Sequence, residues 1–229
     1  MKQEESMKKN TFDIVERYLQ NPENVKSIWD NEAIVWVDWR EYDEDIIDYF
    51  NEKIKIDVDL IDNNKDYGDD IILKKGKKTL QIPYTDIMER DITITYLNEF
   101  IKPDYEIRWF MESLGSDTLG FVSLTKDKWR ILENEFGEIY LCHYFEPITI
   151  GKRMFGLDID EISAYSKLRN NNKNILYAIL YELLALIVNE SKLNNERQIG
   201  NIDLKTYDIK KKQISNEMEK IIKTHNIIV

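Results

Sequence analysis

YEIRWFMESLGSDTLGFVSLTKDKWRILENEF, residues 105–136, decides how the chain is read. Residues 105–112 are rich in aromatic and β-favouring side chains and read as a strand. Leu114-Gly115-Ser116-Asp117 follows as a turn, because Gly, Ser and Asp each offer the backbone a way to reverse. Residues 118–124 are the returning strand. Thr125 then caps a helix whose Trp129 and Leu132 face inward, and Gly137 closes it. A hairpin followed at once by a helix is the signature of an α+β arrangement, with an antiparallel or mixed sheet and helices packed on it. Ser116 sits between two strands. A nucleophile elbow requires Gly-x-Ser-x-Gly between a strand and a helix, so Ser116 reads as a turn residue.

Upstream, TFDIVERYLQ reads as a helix capped by Thr11, and AIVWVDW (33–39) as a strand. DEDIIDYFNEKI (43–54) reads as a helix. Its first-turn acids suit the positive end of the dipole, and Ile46, Ile47, Phe50 and Ile54 form an apolar stripe. IKIDVDLID (54–62) alternates like a half-exposed strand, NNKDYGDD (63–70) reads as a loop, and IILKKGKKTLQIPY as a hairpin about Lys75-Gly76. A helix is expected from about Ile92 to Ile101, capped by Asp91 and ended before Pro103.

Downstream, EIYLCHYF (138–145) reads as a strand. After Gly151 the character turns helical: DIDEISAYSKLRN, then NILYAILYELLALIVNE (174–190), apolar enough to demand burial on most of its surface, then a charged amphipathic helix to the end. The division expected is an α+β domain over 1–150 and a helical segment over 151–229, packed on the first or lying at a subunit interface.

Charge is distributed unevenly. The chain carries a net −11, and residues 30–70 hold fifteen Asp/Glu against four Lys/Arg, so the excess sits in that stretch. Such a field repels nucleic acid and anionic membrane and attracts a basic protein. No run reaches the roughly 18 apolar residues of a spanning helix, and the start has no apolar leader region. A lone cysteine, Cys142, allows no internal disulfide and suits a reducing cytoplasm.

The richest candidate site is VDWREYDEDIID, residues 37–48. Trp39, Glu41, Asp43, Glu44, Asp45 and Asp48 mix an indole with carboxylates, the composition of a protein-binding hot spot for a basic partner. The rival is a metal-dependent hydrolase or nuclease using Asp38, Glu41 and Asp45, since hard cations take carboxylate oxygens. Its spacing matches no metal-loop motif. A non-catalytic oligomeric module built on 174–190 is the third reading. Cys142-His143 are strand neighbours in this reading, pointing to opposite faces, so they form no nucleophile–base couple. The YGDD at 67–70 and the KKGKK at 74–78 lack the surroundings that would give them function. No cofactor, metal or catalytic residue is assigned.

Tyr105-Glu106-Ile107-Arg108, Gly115-Ser116-Asp117-Thr118-Leu119 and Trp129 with Leu132-Glu133 lie within a segment, 97–137, that resembles small acidic bacterial proteins of the polymorphic-toxin immunity type. The Ile-, Lys- and Asn-rich composition fits an AT-rich bacterial or phage genome. The resemblance implies a scaffold without catalytic residues and a role in neutralising a basic toxin. Residues 151–229 fall outside it.

Overall fold

The computed structural model describes residues 10–29, 31–54, 56–61, 70–84 and 89–229. The loop read over 63–70 lies almost wholly outside them. The chain is α+β, and both sheets are antiparallel. It divides into two compact units, Met1–Gly156 and Leu157–Val229. Among the described residues, no helix is long and apolar enough to cross a membrane.

The first unit is organised by the hairpin of β5 (Tyr105–Phe110) and β6 (Thr118–Thr125), which sits at the centre of a four-stranded sheet. β1 (Val35–Asp38) flanks β6, and β7 (Phe145–Pro147) flanks β5. Residues 119–124 are buried without interruption because helices cover both faces of the sheet. On one face Phe110, Val122 and Leu124 meet α1 (Thr11–Gln20), α5 (Lys126–Phe136) and α6 (Glu138–Tyr144) through Tyr18, Trp129 and Leu141. On the other, Phe50 of α3 (Asp43–Ile54) packs edge-on to Phe121, and α4 (Arg90–Ile101) lies beside α3. Gly120 is required at the centre. A Cβ there would stand 2.9 Å from both Ile34 and Trp36.

β2 (Asp57–Ile61), β3 (Asp70–Lys75) and β4 (Lys78–Gln81) form a second sheet, with Ile71 and Leu73 turned inward and Gly76 at positive φ in the expected turn. A four-residue helix, α2 (Lys26–Trp29), precedes β1. Lysines of the KKGKK tip are not all free in solvent. Lys74 pairs with Asp59, Lys75 with Asp104 at 2.7 Å, and Lys78 donates to the Phe100 carbonyl.

Local expectations meet three corrections. Asn10, not Thr11, caps α1, its side chain accepting from the Phe12 amide. Residues 138–144 are the helix α6, with only 145–147 extended: Leu141 and Cys142 turn inward on one side of it, which a strand, with neighbours on opposite faces, would not do. α4 starts at Arg90, and Asp91 does not cap it. The Asp91 carboxylate instead accepts backbone N–H groups of Met154, Phe155 and Gly156 at 3.1–3.4 Å. The unit boundary accordingly falls after Gly156, because residues 152–156 are bound into the first unit. Lys152 is buried against Glu146, and Asp91 holds the three amides at 154–156.

The second unit is α7 (Ile159–Asn171), α8 (Tyr177–Gln198) and α9 (Leu204–His225). Asp158 and Glu161 form a capping box at the start of α7, and Asp203 caps α9. Asn172 receives the Ile228 amide and returns a bond to its carbonyl, tying the end of the chain down. The apolar run in α8 is less buried than its composition demands: within 174–190 only Leu180, Leu183 and Leu184 are buried.

Candidate protein-binding face

β1 ends at Asp38 and α3 begins at Asp43, so residues 39–42 form the connection between sheet and helix. The amphipathic pattern of α3 decides which of its side chains meet water. Ile46, Ile47 and Phe50 are fully buried, while Asp48 and Glu52 are exposed and Glu44 and Asp45 half-buried.

Three aromatic rings break the surface beside these acids. Trp39 is 54% exposed, Tyr42 76% and Tyr49 37%. The Tyr49 hydroxyl donates to Glu41 at 3.0 Å, linking the connection to the outer side of α3. Asp45 lies one helical turn before Tyr49, close enough to act on its phenol electrostatically. The Arg40 guanidinium stands 5.5 Å from the Trp39 ring centroid, so the indole already accepts one cation on its face.

The connection is held firmly. Asp38 accepts from the Arg40 amide at 2.9 Å and from its guanidinium at 2.9 and 3.0 Å. These bonds hold the Asp38 carboxyl far below the usual carboxylate range. The Trp39 amide donates to the Asp117 carbonyl at 3.2 Å, and Arg90 donates to the Glu41 carbonyl at 2.8 Å. Asp117 belongs to the turn that holds Ser116, whose own hydroxyl accepts from the Thr118 amide at 3.4 Å.

Of the residues expected on this face, Glu41 and Asp45 both act on Tyr49, Trp39 and Asp48 are exposed, and Glu41, Glu44 and Asp45 are half-buried. Asp43 is elsewhere. It is 3% exposed, accepts from the Thr93 hydroxyl on α4, and stands at the end of a chain in which Tyr84 bonds Thr93 at 2.7 Å. Burial pushes its carboxyl pKa up. Asp43 ties helix to helix and offers nothing to a partner. The acids of residues 30–70 do not all share one surface either: Asp57 and Asp59 lie on β2, where Lys74 neutralises Asp59. Asp30, Asp62, Asp66 and Asp69 lie outside the described residues.

The trio Asp38, Glu41 and Asp45 does not converge. Asp38 is bonded through both oxygens to Arg40, Glu41 is bonded to Tyr49, and among the described residues no three His, Cys, Asp or Glu side chains gather as a metal-binding set. Cys142 is buried on α6, its thiol pushed up to about 11 by burial, which disfavours the thiolate a nucleophile needs. His143 lies next along the same helix, edge-on to Tyr144.

Sequence reasoning misses two of the three aromatics. Tyr42 and Tyr49 are both visible as polar-side positions, Tyr49 opposite the apolar stripe of α3. It also misses the buried charges. Arg108 is held by Glu106 at 2.7 Å and Glu133 at 2.5 Å and lies over the Trp129 ring, and Lys152 pairs with Glu146. A cleft of about 270 Å³ opens beside Asp91, Tyr96 and Lys152, where Asp91 is engaged by the loop amides, Lys152 by Glu146 and Arg153 by the Gly156 carbonyl. No family model, curated protein or solved structure matches the chain.

Proposed function

We propose that the chain acts by stoichiometric binding, as an immunity or antitoxin-like inhibitor that holds a basic protein against the face formed by residues 39–49. One observation carries this reading: Trp39, Tyr42 and Tyr49 are exposed within the short stretch 39–49 that also carries Glu41, Asp45 and Asp48, although Ile46 and Ile47 of the same stretch are fully buried. Exposed aromatic rings supply area and cation–π acceptance, and the carboxylates supply attraction at a distance. Acid-lined faces of this kind raise association rates by about 10–10³-fold with cationic partners. The resemblance of residues 97–137 to immunity proteins supports the same class. A cytoplasmic setting accompanies it, since a single cysteine fits a reducing compartment.

The test uses the product of the reading frame adjacent to this one. Binding kinetics at low and high salt are measured for the wild type, Trp39→Ala and the pair Asp45→Lys/Asp48→Lys. The truncation should weaken affinity by about 30-fold, as a central aromatic anchor does. Charge reversal should slow association by about 10-fold at low salt and flatten its salt dependence, with thermal midpoints unchanged. A neighbour that binds equally well to all three proteins, or not at all to the wild type, overturns the assignment.

A further inference from the structure

The second unit presents a seam that is covered only in part. Tyr207, Lys211, Ile214, Met218, Ile221 and His225 recur along α9 at alternating steps of four and three residues, the spacing of a coiled-coil contact line. Every one is half-buried, and no residue of α9 is fully buried across its 22 positions. α9 packs on α8, with Tyr207 donating to Asn194 at 2.8 Å and Lys211 to the Tyr207 hydroxyl at 2.9 Å. On α8, Ile187 and Val188 also stay half-buried, lining a small cavity with Glu161 and Ala164 of α7. A long helix draws its stability from packing an apolar face; α7 and α9 both pack on α8, and the seam of α9 still stays partly wet.

Charge says what can cover it. Residues 1–156 carry 21 Lys/Arg and 33 Asp/Glu, whereas 157–229 carry 11 and 10. Two copies meeting through their first units would press like charge on like; meeting through the second units they press near-neutral surfaces of mixed sign. The pattern on α9 is moreover self-complementary. Lys210 and Glu217 are exposed, seven residues apart, and flank the same side of the seam with Ile214 between them. In an antiparallel pair related by a two-fold axis near Ile214, each Lys210 faces the other copy's Glu217, twice over. A 22-residue helix is about 33 Å long, and a two-helix face about 20 Å wide covers roughly 650 Å² per copy. That approaches the roughly 800 Å² per partner of a standard interface.

We infer that the α8–α9 hairpin is half of a four-helix interface, completed by a second copy of this chain with the two α9 helices antiparallel about Ile214. The interface uses no residue of the acidic face at 39–49 and does not depend on what that face binds.

Sedimentation equilibrium of the full chain at about 50 µM tests it. The wild type should sediment at twice its 27.4 kDa mass. Lys210→Glu and Glu217→Lys, each placing like charges opposite one another twice, should each weaken dimerisation at least about 10-fold. The double variant Lys210→Glu/Glu217→Lys should restore it. Ile214→Asp should yield a monomer with helix content kept by circular dichroism. A monomeric wild type overturns the inference, as does a dimer indifferent to Lys210→Glu and Glu217→Lys. Single variants that weaken the dimer without rescue in the double variant overturn the antiparallel arrangement. Lys210 and Glu217 are both exposed, so circular dichroism of their variants should match the wild type and the result stands even if Ile214→Asp unfolds.

Discussion

Helices α3 and α9 carry the same kind of sequence, an apolar stripe on one side and charge on the other, and they end in different surroundings. In α3 the stripe of Ile46, Ile47 and Phe50 is sealed against the sheet, so its acidic side is the only surface left to interact. In α9 the stripe of Ile214, Met218 and Ile221 remains half-open, so the apolar side is the one still unsatisfied. Amphipathicity names the side that should be covered. It does not name the cover.

The largest expected effect separates the two stripes. Phe50→Ala should cost about 3–5 kcal/mol of stability, the usual range for deleting a fully buried ring. Met218→Ala, measured in dilute solution where self-association contributes nothing, should cost no more than about 1 kcal/mol. Chemical denaturation of both variants measures this, and equal losses would erase the contrast.

Next in size is the buried charge that anchors the first unit. Lys152→Met removes the ammonium that neutralises Glu146, and breaking a buried pair from one side costs about 3–5 kcal/mol. Lys152→Met/Glu146→Leu should recover much of that loss, because it replaces both charges with apolar volume. Denaturation midpoints of the single and double variants distinguish a pair that needs both members from one that does not.

The smallest effect is a pH dependence. Burial raises the Asp43 pKa in the folded protein above its unfolded value. The folded state therefore holds the proton more tightly, and Asp43 favours folding less as pH rises through the window between the two values. Asp43→Asn keeps an acceptor for Thr93 and removes the charge. Its thermal midpoint should exceed that of the wild type at pH 7 by about 2–4 °C, with the gap closing as the solution is acidified. A gap that widens toward low pH would show that Asp43 is held ionised and would place it with Asp38, whose shift runs the opposite way.

How much of the fold is legible in the sequence depends on how far apart the interacting residues lie. α3 is legible over its observed span because its dipole-facing acids and its stripe are all local, and the β5–β6 hairpin with Thr125 and Gly137 is legible for the same reason. Residues 138–144 go the other way. Ile139, Tyr140 and Tyr144 favour a strand locally, and the helix prevails because it turns Leu141 and Cys142 together into the core. The face at residues 39–49 is legible in its carboxylates, which are neighbours in sequence. Asp43 is misplaced among them because its burial depends on Thr93, fifty residues away. Asp91 joins amides 63 to 65 residues distant, a bond no local pattern announces.

That last bond bears on how the protein can be divided. A fragment stopped at residue 150, where the composition changes, would discard Lys152 and leave Glu146 inside the sheet without its neutralising ammonium, and Asp91 without the amides that solvate it. Extending the same fragment by six residues restores all of these contacts. Two carboxylates that lie before residue 150 thus carry the division of the chain on to Gly156.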